Sequence, residues 1–197
     1  HLSPADIERV LPRFRGNILQ VPPMYSALKV NGKKLYELAR KGQEVERQPR
    51  PITVFELTNL GFDGTRLSLR VKCSKGTYIR TLCQDIGDAL GCGGCMEALR
   101  RVRAGEYGIE DAVPLEQLLE SETPEQYLRG LDTMFAHCPA VTLTANQEKR
   151  CRNGNPFTVR QPLPEGLYRV YGLEGEFLCL SRLEGGVMTS LKNFFGA

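Results

Sequence analysis

The chain has 197 residues, a hydrophobic fraction of 41%, a charged fraction of 25% and a net charge of +3. That suits one large domain, or one domain with a small companion. No apolar run approaches a bilayer span and no basic-then-apolar leader opens the sequence, so neither a membrane protein nor a secreted precursor is expected. Beginning at His1 rather than Met, the chain is expected to be a fragment or a processed product.

In chain order, Ser3-Pro4-Ala5-Asp6 reads as an N-cap, a proline at the first helical position and a first-turn acid. Ile7, Val10, Leu11 and Phe14 follow at helical spacing until Gly16. A short strand is expected over 18–21. Pro22-Pro23 then fixes an extended backbone, and residues 24–32 form an irregular loop with a turn at Asn31-Gly32. A helix is expected over 33–41, with Leu35, Leu38 and Ala39 inward and Gly42 beyond its end. Pro49 and Pro51 break the chain. Residues 52–60 and 65–73 read as a hairpin around Asp63-Gly64, with Leu67, Leu69, Val71 and Cys73 on one face. A helix follows over 81–90, closed by Gly91, then a strand over 97–103 and helices over 114–120 and 124–136. After Pro139 come a helix over 146–152 and strands over 167–171, 176–182 and 187–191. The expected organisation is a domain over 1–138 and a small β-rich domain over 139–197.

Charge is uneven. Residues 9–50 carry a net charge of +7 and residues 104–128 a net charge of −7. The basic block reads either as a grip on a polyanion or as a solvated face. Seven cysteines, an odd number, do not suit a disulfide-stapled scaffold, and reduced thiols in a cytoplasmic protein are expected. Cys92-Gly93-Gly94-Cys95 has the spacing of half a zinc site, but Cys73 and Cys83 lie nine residues apart on different elements, and no metal is expected.

The segment from Val71 to Leu82 carries the most chemistry. Tyr78 and Arg80 stand two apart, which on an extended backbone would place a phenol and a guanidinium on one face. They form either a pocket that stacks on a planar ring and holds an anion, or a half-buried Tyr beside a surface Arg.

Three stretches carry a family resemblance. Pro22-Pro23-Met24-Tyr25-Ser26-Ala27-Leu28-Lys29-Val30-Asn31-Gly32, with Leu35-Tyr36-Glu37-Leu38-Ala39-Arg40-Lys41-Gly42, resembles the RNA-binding motif of the TruB family of tRNA pseudouridine-55 synthases. Cys73-Ser74-Lys75-Gly76-Thr77-Tyr78-Ile79-Arg80-Thr81-Leu82 resembles that family's active-site strand, and Leu99-Arg100-Arg101-Val102-Arg103-Ala104-Gly105 its next strand. The resemblance implies an α+β fold: part of a mixed, largely antiparallel sheet with helices, then a small PUA-like domain. It implies isomerisation of a T-loop uridine in tRNA without a cofactor, in keeping with the lack of a P-loop or dinucleotide motif. It implies a tRNA partner and a cytoplasmic, monomeric protein. By the same resemblance Tyr78 packs on a flipped uridine, Arg80 pairs with the nucleophilic Asp, and Leu99 lines the pocket. Tyr25, Lys29, Lys33, Lys34, Arg40 and Lys41, with Lys75, Arg100 and Arg101, fall among the RNA-binding residues.

One departure is large. The family's nucleophile stands in a Gly-Thr-Leu-Asp-Pro-type loop, and no such stretch occurs here. Asp6 suits a helix start, Asp63 a turn, and Asp85 and Asp88 the helix after Arg80. The chain alone is therefore expected to lack activity. The alternatives are a non-catalytic tRNA-binding module or a tRNA-folding chaperone.

Overall fold

Ser3 caps the first helix, α1 (Pro4–Val10). Its hydroxyl accepts the Asp6 N–H, and the Asp6 carboxylate accepts the Ser3 N–H and hydroxyl. A computed structural model describes residues 2–195. The expected helix does not stay α-helical to Phe14. Pro12 has no N–H and its ring would meet the carbonyl four residues back, so Leu11–Phe14 tightens into a 3-10 turn. Gly16, at φ +78°, then turns the chain into strand β1 (Gly16–Gln20).

The chain divides into two compact units, His1–Arg100 and Arg101–Ala197. In the first, Asn31 and Gly32 both take positive φ, 50° and 80°. These are the angles a tight two-residue hairpin demands, and they pair β2 (Lys29–Val30) with β3 (Lys33–Lys34). The expected helix over 33–41 is therefore only α2 (Leu35–Ala39), since Lys33 and Lys34 are drawn into the ladder. Pro51 does not break the chain; it lies near the start of the long strand β4 (Arg50–Phe62), opposite Leu19. β4 pairs antiparallel with β1 on one side and β5 (Leu67–Cys73) on the other, giving the order β1-β4-β5. The turn between β4 and β5 spans four residues rather than two. The Asp63 carboxylate holds it by accepting the N–H groups of Thr65 and Arg66 at 2.9 and 2.8 Å.

Helix α3 (Ile79–Leu90) closes this unit and starts two residues earlier than expected. Leu82 and Ile86 sit one turn apart and pack with Ile7, Leu11, Ile52, Val54 and Leu57. Full burial of each such side chain stabilises by about 1.5–3 kcal/mol. Gly91 ends the helix at φ +78°, and the chain folds back so that the Cys92 and Gly93 N–H groups both reach the Gly87 carbonyl at 3.1 Å. A Cβ on Gly87 would fall 2.2 Å from the Gly93 carbonyl carbon. The glycines of the Cys-Gly-Gly-Cys stretch thus serve close backbone packing.

In the second unit the expected strand over 97–103 is reduced to β6 (Arg103–Ala104), paired with β7 (Tyr107–Gly108). Helix α4 (Leu115–Leu119) is present. The helix expected over 124–136 is two 3-10 turns, Pro124–Tyr127 and Leu131–Phe135, separated near Gly130. Leu128 in the break is 79% exposed, so its burial gives little support to a continuous helix. Beyond Pro139 the strands β8 (Ala140–Thr142), β9 (Phe157–Thr158), β10 (Gly166–Tyr171), β11 (Phe177–Glu184) and β12 (Val187–Asn193) form one sheet in the order β8-β10-β11-β12-β9. Only the β8–β10 pair is parallel. Helix α5 (Ala145–Arg152) packs Cys151 into a core with Leu143, Phe157, Tyr168, Val170, Leu178 and Met188. The three expected strands are β10, β11 and β12; β8 and β9 were not foreseen. The Tyr171 hydroxyl, bonded to the Asp132 carboxylate at 2.7 Å, joins the 131–135 turn to this sheet. The class is α+β with a β-rich C-terminal part, as expected.

Candidate functional site

Strand β5 delivers the chain to Ser74, whose N–H reaches the Thr53 carbonyl at 2.8 Å while its hydroxyl accepts the Thr53 N–H at 3.0 Å. Gly76, at φ +83°, turns the chain. Tyr78 follows as the half-buried N-cap of α3, with an extended backbone (φ −97°, ψ 105°). Arg80 lies in the first turn of that helix and is exposed. The expected pleat relation between Tyr78 and Arg80 is therefore absent, because the helix begins at Ile79. Both residues are tied instead to one stretch of chain, residues 20–25.

Gln20, the last residue of β1, is 3% exposed. Its Oε1 accepts the Tyr78 N–H at 2.8 Å and its Nε2 donates to the Tyr78 carbonyl at 3.1 Å. Five residues on, the Tyr25 carbonyl accepts a bond from Arg80 Nη2 at 2.8 Å. Between them Arg47 Nη1 donates to the Pro22 carbonyl at 3.2 Å. Arg80 has no carboxylate partner among the described residues. An exposed, unpaired guanidinium at a helix start is available to an anion. The sequence reasoning missed Gln20. Its signal was parity: it shares a strand face with Ile18, and a polar residue at an inward position needs a partner.

The basic hairpin sets Lys29 directly opposite Lys34, and Val30 opposite Lys33. Like charges across a ladder repel unless an anion lies between them. Lys34 Nζ stands 3.3 Å from the Tyr36 hydroxyl, and that contact raises its pKa. The Arg40 guanidinium lies 5.4 Å from the centroid of the same ring. Lys29, Lys33, Arg40 and Lys41 are exposed, as is Lys75 in the turn before Tyr78. Tyr25 is 58% exposed and Leu99 61% exposed; Leu99 belongs to neither core. Arg100 and Arg101 are exposed in irregular chain.

Asp6 and Asp63 stand in the helix cap and hairpin turn expected of them, and the hydrogen bonds there lower both carboxyl pKa values. Asp85, on α3, is shifted upward, first by burial and then by Asp88. Cys92 and Cys95 are exposed free thiols, and among the described residues no cluster of His, Cys, Asp or Glu is placed to hold a metal ion. Among the same residues no helix is long and apolar enough to cross a membrane.

Three sequence models of one family match consecutive parts of the chain. They are the TruB family pseudouridylate synthase N-terminal domain over residues 1–79, the tRNA pseudouridylate synthase B C-terminal domain over 80–133, and the pseudouridine synthase II TruB C-terminal region over 139–188. The chain is 45% identical over 185 residues to tRNA pseudouridine synthase B of Syntrophomonas wolfei, covering 91% of this chain and 62% of that protein. It is 47% identical over 177 residues to the protein of the same name from Dechloromonas aromatica, covering 87% and 58%. The chain thus spans about three fifths of the length of these relatives. Among solved structures it shares a fold with a chain of a Cbf5-Nop10-Gar1 complex, at a TM-score of 0.72 and 24% identity, covering 99% of this chain and 63% of that one. A chain of an H/ACA RNP bound to a substrate RNA containing 2'-deoxyuridine aligns at 0.71 and 21%, covering 98% and 62%. The chain belongs to the TruB family of pseudouridine synthases.

Proposed function

We propose that this chain is the RNA-gripping and base-holding part of a tRNA pseudouridine synthase that isomerises the T-loop uridine at position 55. The observation that carries the reading is Arg80: an exposed guanidinium in the first turn of α3, without an acid partner among the described residues, next to the N-cap Tyr78. In the reaction the N1–C1′ bond breaks, the uracil turns, C5 bonds to C1′, and the C5 proton leaves. Nothing is oxidised or reduced. Tyr78 packs on the flipped base near C5. Arg80 holds a nucleophilic carboxylate ionised and aimed, and Leu99 adds an apolar wall. Tyr25, Lys29, Lys33, Lys34, Arg40 and Lys41, with Lys75, Arg100 and Arg101, hold the T-stem-loop, largely through phosphates. The protein acts in the cytoplasm as a monomer, with residues 1–138 as the catalytic-domain part and 139–197 as a PUA-like RNA-binding domain.

Because the sequence contains no Gly-Thr-Leu-Asp-Pro-type stretch, this chain alone binds the stem-loop and does not turn it over. The same feature favours the second reading, a tRNA-binding module or folding chaperone. Release of tritium from C5-labelled uridine in a T-stem-loop distinguishes them. The gene-length protein that carries this sequence is expected to release it, and Arg80→Ala to stop the release. Undiminished release by the Arg80→Ala protein would sink the catalytic assignment. No release by the gene-length protein would leave the binding-module reading standing.

A further inference from the structure

We infer that Gln20 is a positioning residue: its side-chain amide fixes the backbone at Tyr78, and with it the start of α3 that presents Arg80. The inference rests on the uridine-isomerising reading for its catalytic readout, and on geometry alone for its structural one.

Tyr78 occupies an awkward place for a backbone. As an N-cap its N–H lies outside the helical ladder, and its carbonyl already accepts the Leu82 N–H at 3.0 Å. β5 has ended at Cys73, so no neighbouring strand serves it. Gln20 supplies the acceptor that the N–H lacks and a second donor to the carbonyl. A primary amide presents one acceptor and one donor side by side, so it pairs with a peptide unit as a strand would. The two bonds, 2.8 and 3.1 Å, cross 58 positions of sequence. Gln20 is 3% exposed, so water is a poor substitute if the amide is removed, and the Tyr78 N–H would lose its partner in a half-buried site.

The position of Gln20 in the chain gives this clamp a functional direction. It ends β1 and immediately precedes the segment whose Pro22, Tyr25 and Ser26 carbonyls accept bonds from Arg47, Arg80 and the Tyr36 N–H. That segment continues into the basic β2–β3 hairpin. One end of it therefore holds Tyr78 and Arg80, and the other presents cations for RNA. Gln20 needs no contact with substrate to matter. Small misplacements of reacting groups, on the order of 1 Å, cost about 100-fold in rate.

The test has two arms. In this chain, Gln20→Met keeps the side-chain length and removes both polar atoms. Amide hydrogen exchange at Tyr78 should then quicken by about five- to tenfold, the worth of one hydrogen bond, while the amides of Ile7 and Leu11 hold their protection. Unchanged exchange at Tyr78 would overturn the clamp. In the gene-length protein, kcat should fall by about 100-fold with KM for the T-stem-loop unchanged. A raised KM at full kcat would mark Gln20 as an RNA contact and overturn the inference, as would no change in either. If Gln20→Met lowers protection at Ile7 and Leu11 as well, Gln20→Glu replaces it. That variant keeps an acceptor for the Tyr78 N–H and loses the donor to its carbonyl, so kcat should drop with Tyr78 exchange preserved. Full kcat in a folded Gln20→Glu protein counts against the two-bond clamp. Arg80→Ala run alongside separates the failures: if it retains full turnover, the catalytic reading is wrong, whereas the exchange arm still decides the clamp.

Discussion

Neutralising Lys29 and Lys33 together tests whether the basic hairpin faces phosphate. Four exposed cations, Lys29, Lys33, Arg40 and Lys41, stand on or beside α2 and its hairpin, and none has an acid partner among the described residues. If each meets one phosphate of a duplex stem, these four contribute about −3.6 to the slope of log affinity against log salt, or about two orders of magnitude between ~50 and ~200 mM. Lys29→Gln/Lys33→Gln should make the measured slope shallower by about 1.8, which removes about tenfold of the salt-dependent loss over the same range. The change should be equal for stem-loops of different sequence, because phosphate contacts carry no base information. Stability should not suffer. Lys29 faces Lys34 across the ladder, and removing one of two opposed like charges relieves repulsion. The assay is fluorescence anisotropy of a labelled T-stem-loop titrated with this chain at four or more salt concentrations. A double variant with the wild-type slope would show that these lysines do not touch the RNA backbone.

Gly87→Ala should lower the urea midpoint of the chain. The added Cβ would meet the Gly93 carbonyl carbon at 2.2 Å and the Gly94 nitrogen at 2.3 Å, and overpacking of about 1–3 kcal/mol or more outweighs the ~1 kcal/mol of helix propensity gained. An unchanged or higher midpoint refutes the packing described for the 91–94 loop. Tyr171 makes a prediction at alkaline pH. Burial, and next the bond to Asp132, raise its phenol pKa above the ordinary value of 10.0, so the folded state favours the protonated form. That contribution is present below about pH 10 and is lost as pH rises through the raised folded value. Tyr171→Phe should flatten this alkaline loss in a melting-temperature profile; a profile with the same alkaline slope would place the cause elsewhere.

Elements with one dominant local signal were legible. The Ser3–Asp6 cap, the β4–β5 alternation and the helix expected over 146–152 each follow from residues within a few positions of one another. The failures have a common physical form. Lys33 and Lys34 read as helix by composition, yet the Asn31-Gly32 turn hands them a strand partner, and pairing overrides a weak propensity. Residues 97–103 alternate like a strand, but among the described residues only the end of the stretch finds a neighbour, at Arg103 and the Val102 carbonyl, and a strand does not exist without one. β8 and β9 are too short for periodicity to reveal. At the site, Tyr78, Arg80 and the lysines were legible as residue types in a motif. Gln20 was not, since nothing local links it to a residue 58 positions away.

The corrected start of α3 alters the electrostatics of the proposed site. A carboxylate meeting Arg80 at the end of a strand would face one guanidinium. Meeting it in the first turn of a 12-residue helix, it also faces the positive end of the helix dipole and N–H groups that Tyr78 leaves without a side-chain cap. The two influences are unequal. A helix terminus contributes about 0.3–1 kcal/mol at an exposed site, whereas a close guanidinium lowers a carboxylate pKa by about 1–3 units, or about 1.4–4 kcal/mol. Arg80 is therefore the main influence and the helix end a supplement. The guanidinium also needs orientation, because a fork pairs with a carboxylate only in plane. Its bond to the Tyr25 carbonyl supplies part of that orientation, and the Gln20 amide fixes the backbone two residues before it. The segment that resembles an RNA-binding motif thus has a second task, holding the proposed catalytic pair in place from behind.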